Sequence, residues 1–224
     1  METNLILYIL VLIIPIGSQL YIRSTYNKYK AIISEKKLSG FEIARAILDA
    51  NGLSKVHIVE VKGTLNDHYD SRRKVVRLSS DIFHKETIAS AAIAAHEVGH
   101  AIQDKEGYTF LKIRAILFPF INVTSYVAYI LLIVSLFLEM MNLFWLSIGL
   151  MLFSLLFQLV TLPVEFNASK RAKEELKKHN LVTTSENDHI DIMLKSAALT
   201  YVASLAASLL NVLRLILVFS GRRD

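Results

Sequence analysis

Residues 116–138 read ILFPFINVTSYVAYILLIVSLFL, a run of 23 positions without a charged side chain. Residues 143–164 form a second uncharged run, and only Glu139, Met140, Met141 and Asn142 separate the two. About 20 apolar residues are enough to cross the hydrocarbon core of a bilayer as an α-helix. The pattern therefore predicts a pair of membrane helices joined by a short turn.

Two more apolar stretches flank this pair, at 5–22 and 199–219. The last one is the weakest because it contains Asn211 and Arg214, so two alternatives stay open: it crosses fully, or it lies partly at the interface. The small residues Ala203, Ser204, Ala207 and Ser208 have the spacing of a helix that packs closely against another membrane helix. Snorkelling towards the near end of the helix is sufficient to account for Arg214.

The positive charges predict an orientation in the membrane. Residues 23–114 carry 16 Lys and Arg and residues 165–195 carry 6, whereas residues 139–142 carry none. The positive-inside rule then places both polar segments in the cytoplasm and residues 1–22 as a retained anchor with its N-terminus outside. Arg222 and Arg223 do not follow this rule, because they would lie outside the cell if the last apolar stretch crossed the membrane.

Five segments follow from this pattern: an N-terminal anchor (1–22), a cytoplasmic segment (23–114), a transmembrane hairpin (115–164), a polar helix with a connector (165–195) and a C-terminal membrane helix (196–224). Within 23–114, a capping-box pattern at Ser39 and Glu42 starts a helix that ends at Asn51 and Gly52. Valine-rich residues 55–62 and 74–78 predict two strands joined by the polar run Asn66–Arg72. A long helix is expected from about 81 to 105, with Gly107 as its stop. The fold class is mainly α with a small β-hairpin or sheet.

Composition excludes several kinds of site. The net charge of +5 invites a nucleic-acid partner, but the basic residues are interleaved with acids and no aromatic-basic platform is present, so we expect no nucleic acid. The chain has no cysteine, which excludes disulfides and cysteine-based zinc sites. A metal would have to bind histidine and carboxylate side chains.

The chemistry-bearing feature is His96-Glu97-Val98-Gly99-His100. Positions four apart share a helix face, so both imidazoles can reach one zinc ion while Glu97 lies beside it as a general base for water attack. Glycine costs roughly 1 kcal/mol relative to alanine inside a helix, which indicates that another element approaches closely at Gly99.

A catalytic zinc of this kind needs a third protein ligand, and Glu165 is the best candidate by position. It directly follows the third apolar stretch and opens a charged helix that continues to about His179. A second explanation stays open, because a carboxylate at the start of a polar helix also stabilises the helix N-terminus.

Several stretches together resemble a known family. They are Gly40–Arg45 with Asn51–Leu53, Asn66–Asp70, Ala94–Gln103, Phe157–Phe166 and Ala197–Ala203. The H-E-x-x-H motif followed some 65 residues later by Glu165-Phe166 resembles the gluzincin pattern of membrane peptidases related to HtpX and the CAAX prenyl proteases, and it is closer to the bacterial YugP-type neutral zinc metallopeptidases.

The resemblance implies a zincin-like catalytic unit in which His96, His100 and Glu165 bind Zn²⁺ and Glu97 is the catalytic base. The wider HtpX-like pattern has Asp four residues after the ligand Glu, where it supports a zinc-bound histidine. This chain has Ser169 there. A hydroxyl can still accept a hydrogen bond from an imidazole, although more weakly; Asn167 is a weaker alternative.

Three further features are candidates for handling substrate. His68 and Tyr201 are candidates for stabilising the oxyanion, although a polar turn around His68 and an interfacial position for Tyr201 are the simpler interpretations. An exposed edge at Lys74–Leu78 could pair with an extended peptide, unless this strand simply packs on the helix.

The function that the sequence favours is a membrane zinc metalloendopeptidase that cleaves peptides or membrane proteins at the cytoplasmic face, in quality control or processing. A site-2-type intramembrane protease is an alternative, but the chain has no Leu-Asp-Gly motif. A non-catalytic zinc-binding scaffold is another, and the intact Glu97 argues against it. The oligomeric state is left open.

Overall fold

The computed structural model describes residues 2–220, and the side chains of residues 5–219. The elements run in the order α1 (Glu2–Lys30), α2 (Gly40–Ala50), β1 (His57–Val61), β2 (His68–Asp70), β3 (Val75–Ser79), α3 (Ser80–His84), α4 (Ile88–Glu106), α5 (Thr109–Phe137), α6 (Met141–Lys178) and α7 (Asn187–Ser220), with a 3₁₀ turn at Thr184–Glu186 before α7. The prediction of a mainly helical protein with a small sheet is confirmed. Arg222 and Arg223 lie outside the described residues.

The chain divides into two compact units, which are treated separately below. The membrane unit comprises the described residues up to Gln19, Lys112–Pro163, and those from Thr200 onward. The site unit comprises Leu20–Leu111 and Val164–Leu199. Helices α1, α5, α6 and α7 therefore contribute residues to both units.

Four helices of the described chain, α1, α5, α6 and α7, are long and apolar enough to cross a bilayer. This confirms a helical membrane protein. Inside the membrane unit a small core forms around Ala128, Phe144, Ile148, Met151 and Val212, while many large apolar side chains face outward, as they do in a protein surrounded by lipid.

Three of the four small residues of α7 pack inside the membrane unit, whereas Ser204 is exposed. Ala203 and Ala207 are buried, and the Ser208 hydroxyl and the Gln158 side chain of α6 hydrogen-bond to each other at 2.9 and 3.2 Å. Interhelical hydrogen bonds of this kind hold membrane helices together where water cannot compete.

In the site unit, α2 begins and ends where its signals predict. Ser39 and Glu42 form a reciprocal capping box, and Asn51 is the C-cap. Gly52 follows with φ of 68°, in the left-handed region that glycine adopts without strain. The buried face of α2 consists of Ile43, Ala44, Ile47 and Leu48.

The sheet has three strands, whereas the sequence predicted two. Its strand order is β1-β3-β2, with β1 parallel and β2 antiparallel to β3. Strand β2 lies inside the polar run Asn66–Arg72, which the sequence predicted as a loop. It was missed because it is short and polar, and because Asp67 fixes it through hydrogen bonds to the Ser79 backbone N–H and hydroxyl.

The position of β3 corrects the expected peptide-binding edge. Both edges of β3 are paired, one with β1 and one with β2. The prediction of an exposed edge at Lys74–Leu78 is therefore wrong. Strand β2 is the outer strand on that side of the sheet.

The helix predicted at 81–105 is broken into α3 and α4. Residues at the break are extended and pair with the segment after α1: the Ser34 N–H donates to the Glu86 carbonyl at 2.8 Å, and the Ile88 N–H donates to the Ile32 carbonyl at 3.0 Å. The Thr87 hydroxyl then caps α4. Helix α4 ends at Gly107, which has φ of 67° and confirms the predicted stop.

Candidate metal centre

Helix α4 carries the H-E-x-x-H motif through the centre of the site unit. Nearly every alanine on α4 is buried, because small side chains allow neighbouring elements to approach closely. A Cβ added at Gly99 would lie 2.6 Å from the Ala168 carbonyl oxygen of α6. This confirms the prediction of a close approach at Gly99, and it explains how a residue of α6 comes within reach of the two histidines.

The side chains of His96, His100 and Glu165 converge. The Glu165 Oε2 atom lies 3.2 Å from His96 Nε2 and 3.6 Å from His100 Nε2, and one donor atom from each residue lies within 4.8 Å of the others. Tetrahedral zinc with bonds of about 2.0–2.1 Å would hold its ligand atoms about 3.3 Å apart. The two distances from Glu165 are close to this value, and the third lies within 4.8 Å.

Burial also fits a cation at this group. The Glu165 side chain is only 3% exposed, and those of His96 and His100 are 13% and 9% exposed. A buried carboxylate is stabilised when it is paired or coordinates a metal. Two nitrogen donors and one oxygen donor are the ligand set typical of catalytic zinc, which keeps a fourth position for water.

A chain of hydrogen bonds from α6 fixes the orientation of Gln103. The Arg171 guanidinium can only donate, and it donates to Asn167 Oδ1 at 2.7 Å. Gln103 Nε2 donates to the same Asn167 oxygen at 3.0 Å and to the Val164 carbonyl at 2.8 Å. Since both partners are acceptors, the amide nitrogen of Gln103 must face them.

The orientation of Gln103 in turn sets the tautomer of His100. Its Oε1 lies 3.0 Å from His100 Nδ1, and an amide oxygen only accepts. The proton of a neutral His100 is therefore on Nδ1, and the lone pair on Nε2 points towards Glu165. Hydrogen bonds of this kind orient metal-binding histidines and increase their basicity.

Ser169 holds the second histidine. Its hydroxyl lies 3.2 Å from His96 Nδ1, and a hydroxyl can accept from that nitrogen. Both imidazoles thus have their Nδ1 atoms engaged on one side and their Nε2 atoms aimed at Glu165. Glu97 is buried on the same helix, one residue after His96.

Strand β2 is tied to α4 one turn beyond His100. The Tyr69 hydroxyl donates to the Asp104 carboxylate at 2.7 Å, and the Lys74 ammonium group pairs with the same carboxylate. Burial and this hydrogen bond raise the pKa of Tyr69 above its usual value, so its proton stays in place. Burial also raises the pKa of Asp67, which anchors the start of β2.

The two oxyanion candidates belong to other elements. His68 lies on β2, where its Nδ1 atom lies 2.9 Å from the Asn66 carbonyl oxygen. Tyr201 belongs to α7 of the membrane unit. The oxyanion roles of both residues stay predictions.

Three of the remaining histidines have local partners in the site unit. His84 lies 3.1 Å from Glu60, and His179 lies 3.2 Å from Glu175. The His189 ring lies against Tyr29 with centroids 5.2 Å apart. Such local contacts are typical of histidines with a structural role.

Sequence reasoning gave no role to Gln103 or Arg171. Gln103 continues the spacing of His96 and His100 along one face of α4, and a polar residue in that position is the signal that could have identified it. It is fully buried, and a buried amide needs hydrogen-bond partners. Arg171 gave a weaker signal, because Asn167 lies four residues before it on α6 but Glu106 lies on α4.

Comparisons with known proteins agree with this geometry. A family described as "Putative neutral zinc metallopeptidase" matches residues 4–220. The chain is 42% identical over 207 residues to "Putative membrane protease YugP" of Bacillus subtilis (strain 168), and the match covers 92% of each protein. No solved structure matches the chain. On the family match and this identity, the chain belongs to the neutral zinc metallopeptidase family.

Proposed function

We propose that this protein is a zinc-dependent membrane metalloendopeptidase of the gluzincin type, with His96, His100 and Glu165 as zinc ligands and Glu97 as the catalytic base. The observation that carries the proposal is the convergence of two imidazole Nε2 atoms and one buried carboxylate. Membership of the family and the four apolar helices support a peptidase that works in a membrane.

When bound, zinc would supply Lewis acidity and lower the pKa of a water molecule held at its open position. The chain's own residues do the rest. Gln103 and Ser169 keep the two imidazoles in the ligating orientation. Glu97 takes the proton of the attacking water and passes it to the nitrogen of the leaving amine, as a general base and then a general acid.

Strand β2 is the place where we expect an extended peptide to align. It is the outer strand next to β3, and it is fixed to α4 through Tyr69 and Asp104. Backbone hydrogen bonds to an outer strand position a peptide without selecting its sequence. An endopeptidase of broad specificity follows from such binding.

We place the site at the cytoplasmic face of a bacterial cell membrane. The 22 Lys and Arg of residues 23–114 and 165–195 support this placement. Glu165 directly follows the apolar stretch 143–164, so membrane proteins and peptides near the lipid surface are the substrates expected. Their quality control and their processing both fit.

A site-2-type intramembrane protease is disfavoured by the placement of the motif. Helix α4, which carries His96 and His100, is not among the four described helices that are apolar enough to span a membrane. The alternative of a non-catalytic zinc-binding scaffold is tested by the Glu97→Gln variant described next.

The proposal is tested by Glu97→Gln, which keeps the shape of the side chain and removes the base. We expect zinc content to stay at the parent level while cleavage of a quenched-fluorescence peptide library falls by at least about 10²-fold, the usual contribution of a general base. Glu174→Gln is the control, because Glu174 is largely exposed on α6, and it should leave cleavage unchanged. Equal cleavage by Glu97→Gln and the parent would rule out the proposed peptidase function.

A further inference from the structure

The membrane unit contains a cavity of about 410 Å³ that takes no part in the metal centre. Helices α1, α5, α6 and α7 all line it, and every lining residue belongs to the membrane unit. Its volume lies in the range of small-molecule sites, about 300–1,000 Å³. A cavity of this size inside an apolar helical bundle is large enough to bind a ligand.

The cavity lining mixes polar and apolar side chains. Hydroxyls of Ser125 and Ser154 hydrogen-bond to each other at 2.8 Å, and Gln158 bonds Ser208. Val11, Leu12, Met151 and Val212 also line the cavity. A lining that offers both hydrogen-bonding groups and apolar surface matches an amphiphilic molecule.

Arg214 supplies a positive charge to the cavity. Its guanidinium donates to Asn211 Oδ1 at 3.2 Å, and its Cζ atom lies 5.0 Å from the centre of the Tyr8 ring. The Nε atom is buried with no hydrogen-bond partner among the described residues. A neutral amide and an aromatic face solvate this cation but do not neutralise it.

The described side chains of the membrane unit offer no countercharge for Arg214. Only Glu139 among them is acidic, and it lies in the turn between α5 and α6, outside the cavity lining. A charged side chain surrounded by lipid is costly unless it is paired, and such residues mark functional sites by default. Water in the cavity would hydrate the guanidinium and leave the charge uncompensated.

The depth of Arg214 indicates where an anion would come from. Arg214 is six residues before the end of α7 at Ser220, which is about 9 Å along a helix axis. Tyr8 is six residues after the start of α1 at Glu2. Long arginine side chains near the ends of membrane helices extend towards the interface, so a lipid phosphate can meet the guanidinium while its acyl chains remain among the apolar side chains.

We propose that this cavity binds the phosphate group of an anionic phospholipid through Arg214, with Asn211 and Tyr8 beside it. The lipid supplies the negative charge that the cavity lining lacks. The bound lipid would join α7 to α1, and the site is distinct from the metal centre because none of its residues belongs to the site unit.

The test uses the purified full chain in detergent, with phosphatidylglycerol or diacylglycerol of identical acyl chains added, and native mass spectrometry to count retained lipids. Charge-assisted hydrogen bonds to a phosphate predict a preference for phosphatidylglycerol of about tenfold or more. Arg214→Gln should lose the preference, Arg214→Lys should recover part of it, and Lys112→Gln should keep it, since Lys112 is exposed in the same unit and outside the cavity.

Zinc content and elution volume show whether Arg214→Gln is folded, and if it is not, Ser154→Leu, which fills the cavity but leaves Arg214, should lose the same preference. Glu2→Gln removes the nearest acidic residue along α1 and should leave lipid retention unchanged. Equal retention of the two lipids by the parent, loss of lipid in Glu2→Gln, or stabilisation by inorganic phosphate equal to that by phosphatidylglycerol would overturn it.

Discussion

His100 of α4 owes its ligating orientation to a hydrogen-bond network that joins α4 to α6. An arginine that can only donate fixes an asparagine oxygen, this oxygen fixes the amide of Gln103, and Gln103 fixes the proton of His100. Each step is decided by which atoms are able to donate. The network therefore selects one tautomer without a metal ion, and it prepares Nε2 of His100 to bind one.

Loss of this network should weaken metal binding more than it weakens the fold. We expect Gln103→Leu and Ser169→Ala each to lower zinc affinity by about 10- to 100-fold, the usual cost of removing a hydrogen bond to a ligating histidine. Competition with a chromophoric chelator measures the change. Ser196→Ala is the control, because the Ser196 hydroxyl is also buried but bonds only its own helix. An affinity in Gln103→Leu equal to that of the control would refute the positioning role.

At this scale the sequence identified the donors and the candidate support Ser169, but not Gln103. The spacing of His96 and His100 follows from helix geometry alone, so it could be predicted. The partners of Gln103 lie 61 and 64 residues away, and only the packing of α4 on α6 brings them together.

At the scale of elements, the contact between α4 and α6 depends on a missing side chain. The Ala168 carbonyl occupies the space that a Cβ at Gly99 would need. The same contact places Glu165, three residues before Ala168, opposite the histidines. A glycine that reduces helix stability by itself is therefore required for the metal centre.

Gly99→Ala should destabilise the site unit and separate its ligands. Overpacking against a backbone atom typically costs about 1–3 kcal/mol, so we expect a lower thermal midpoint and weaker zinc retention. Gly149→Ala on α6 is the matched control, since its Cβ would meet nothing within 4 Å and alanine favours the helix. Thermal unfolding followed by circular dichroism compares the two variants; an unchanged midpoint in Gly99→Ala would show that α6 can move away without loss.

Helix ends were predictable because they depend on neighbouring residues, as at Ser39, Asn51 and Gly107. Strand order was not predictable. Strand β2 has only three residues, and its pairing with β3 depends on the hydrogen bond that Asp67 accepts from Ser79. The break between α3 and α4 has the same origin, since it is the pairing with the segment after α1 that extends residues 85–87.

For the whole molecule, the distribution of charge is the strongest guide to orientation. Because the chain has no cysteine, single cysteines report accessibility without background labelling. We expect Lys55→Cys and Lys177→Cys to react with a membrane-impermeant maleimide only after the cells are permeabilised, and Met140→Cys to react in intact cells. All three positions are exposed. Labelling of Lys55→Cys in intact cells would reverse the orientation.

The apolar stretches predicted a membrane protein because hydropathy needs no tertiary contacts. The cavity at Arg214 could not be predicted in this way. In the sequence Arg214 is an isolated charge that snorkelling explains. Its position in the cavity lining, beside Tyr8 and Asn211, is visible only in the folded structure.

The most direct test is the zinc content of the purified protein with and without the third donor. We expect about one zinc per chain in the parent and in Glu174→Gln, and little or none in Glu165→Ala, because two imidazoles alone do not retain the ion through dialysis. Zinc retained by Glu165→Ala at the parent level would contradict the proposed site.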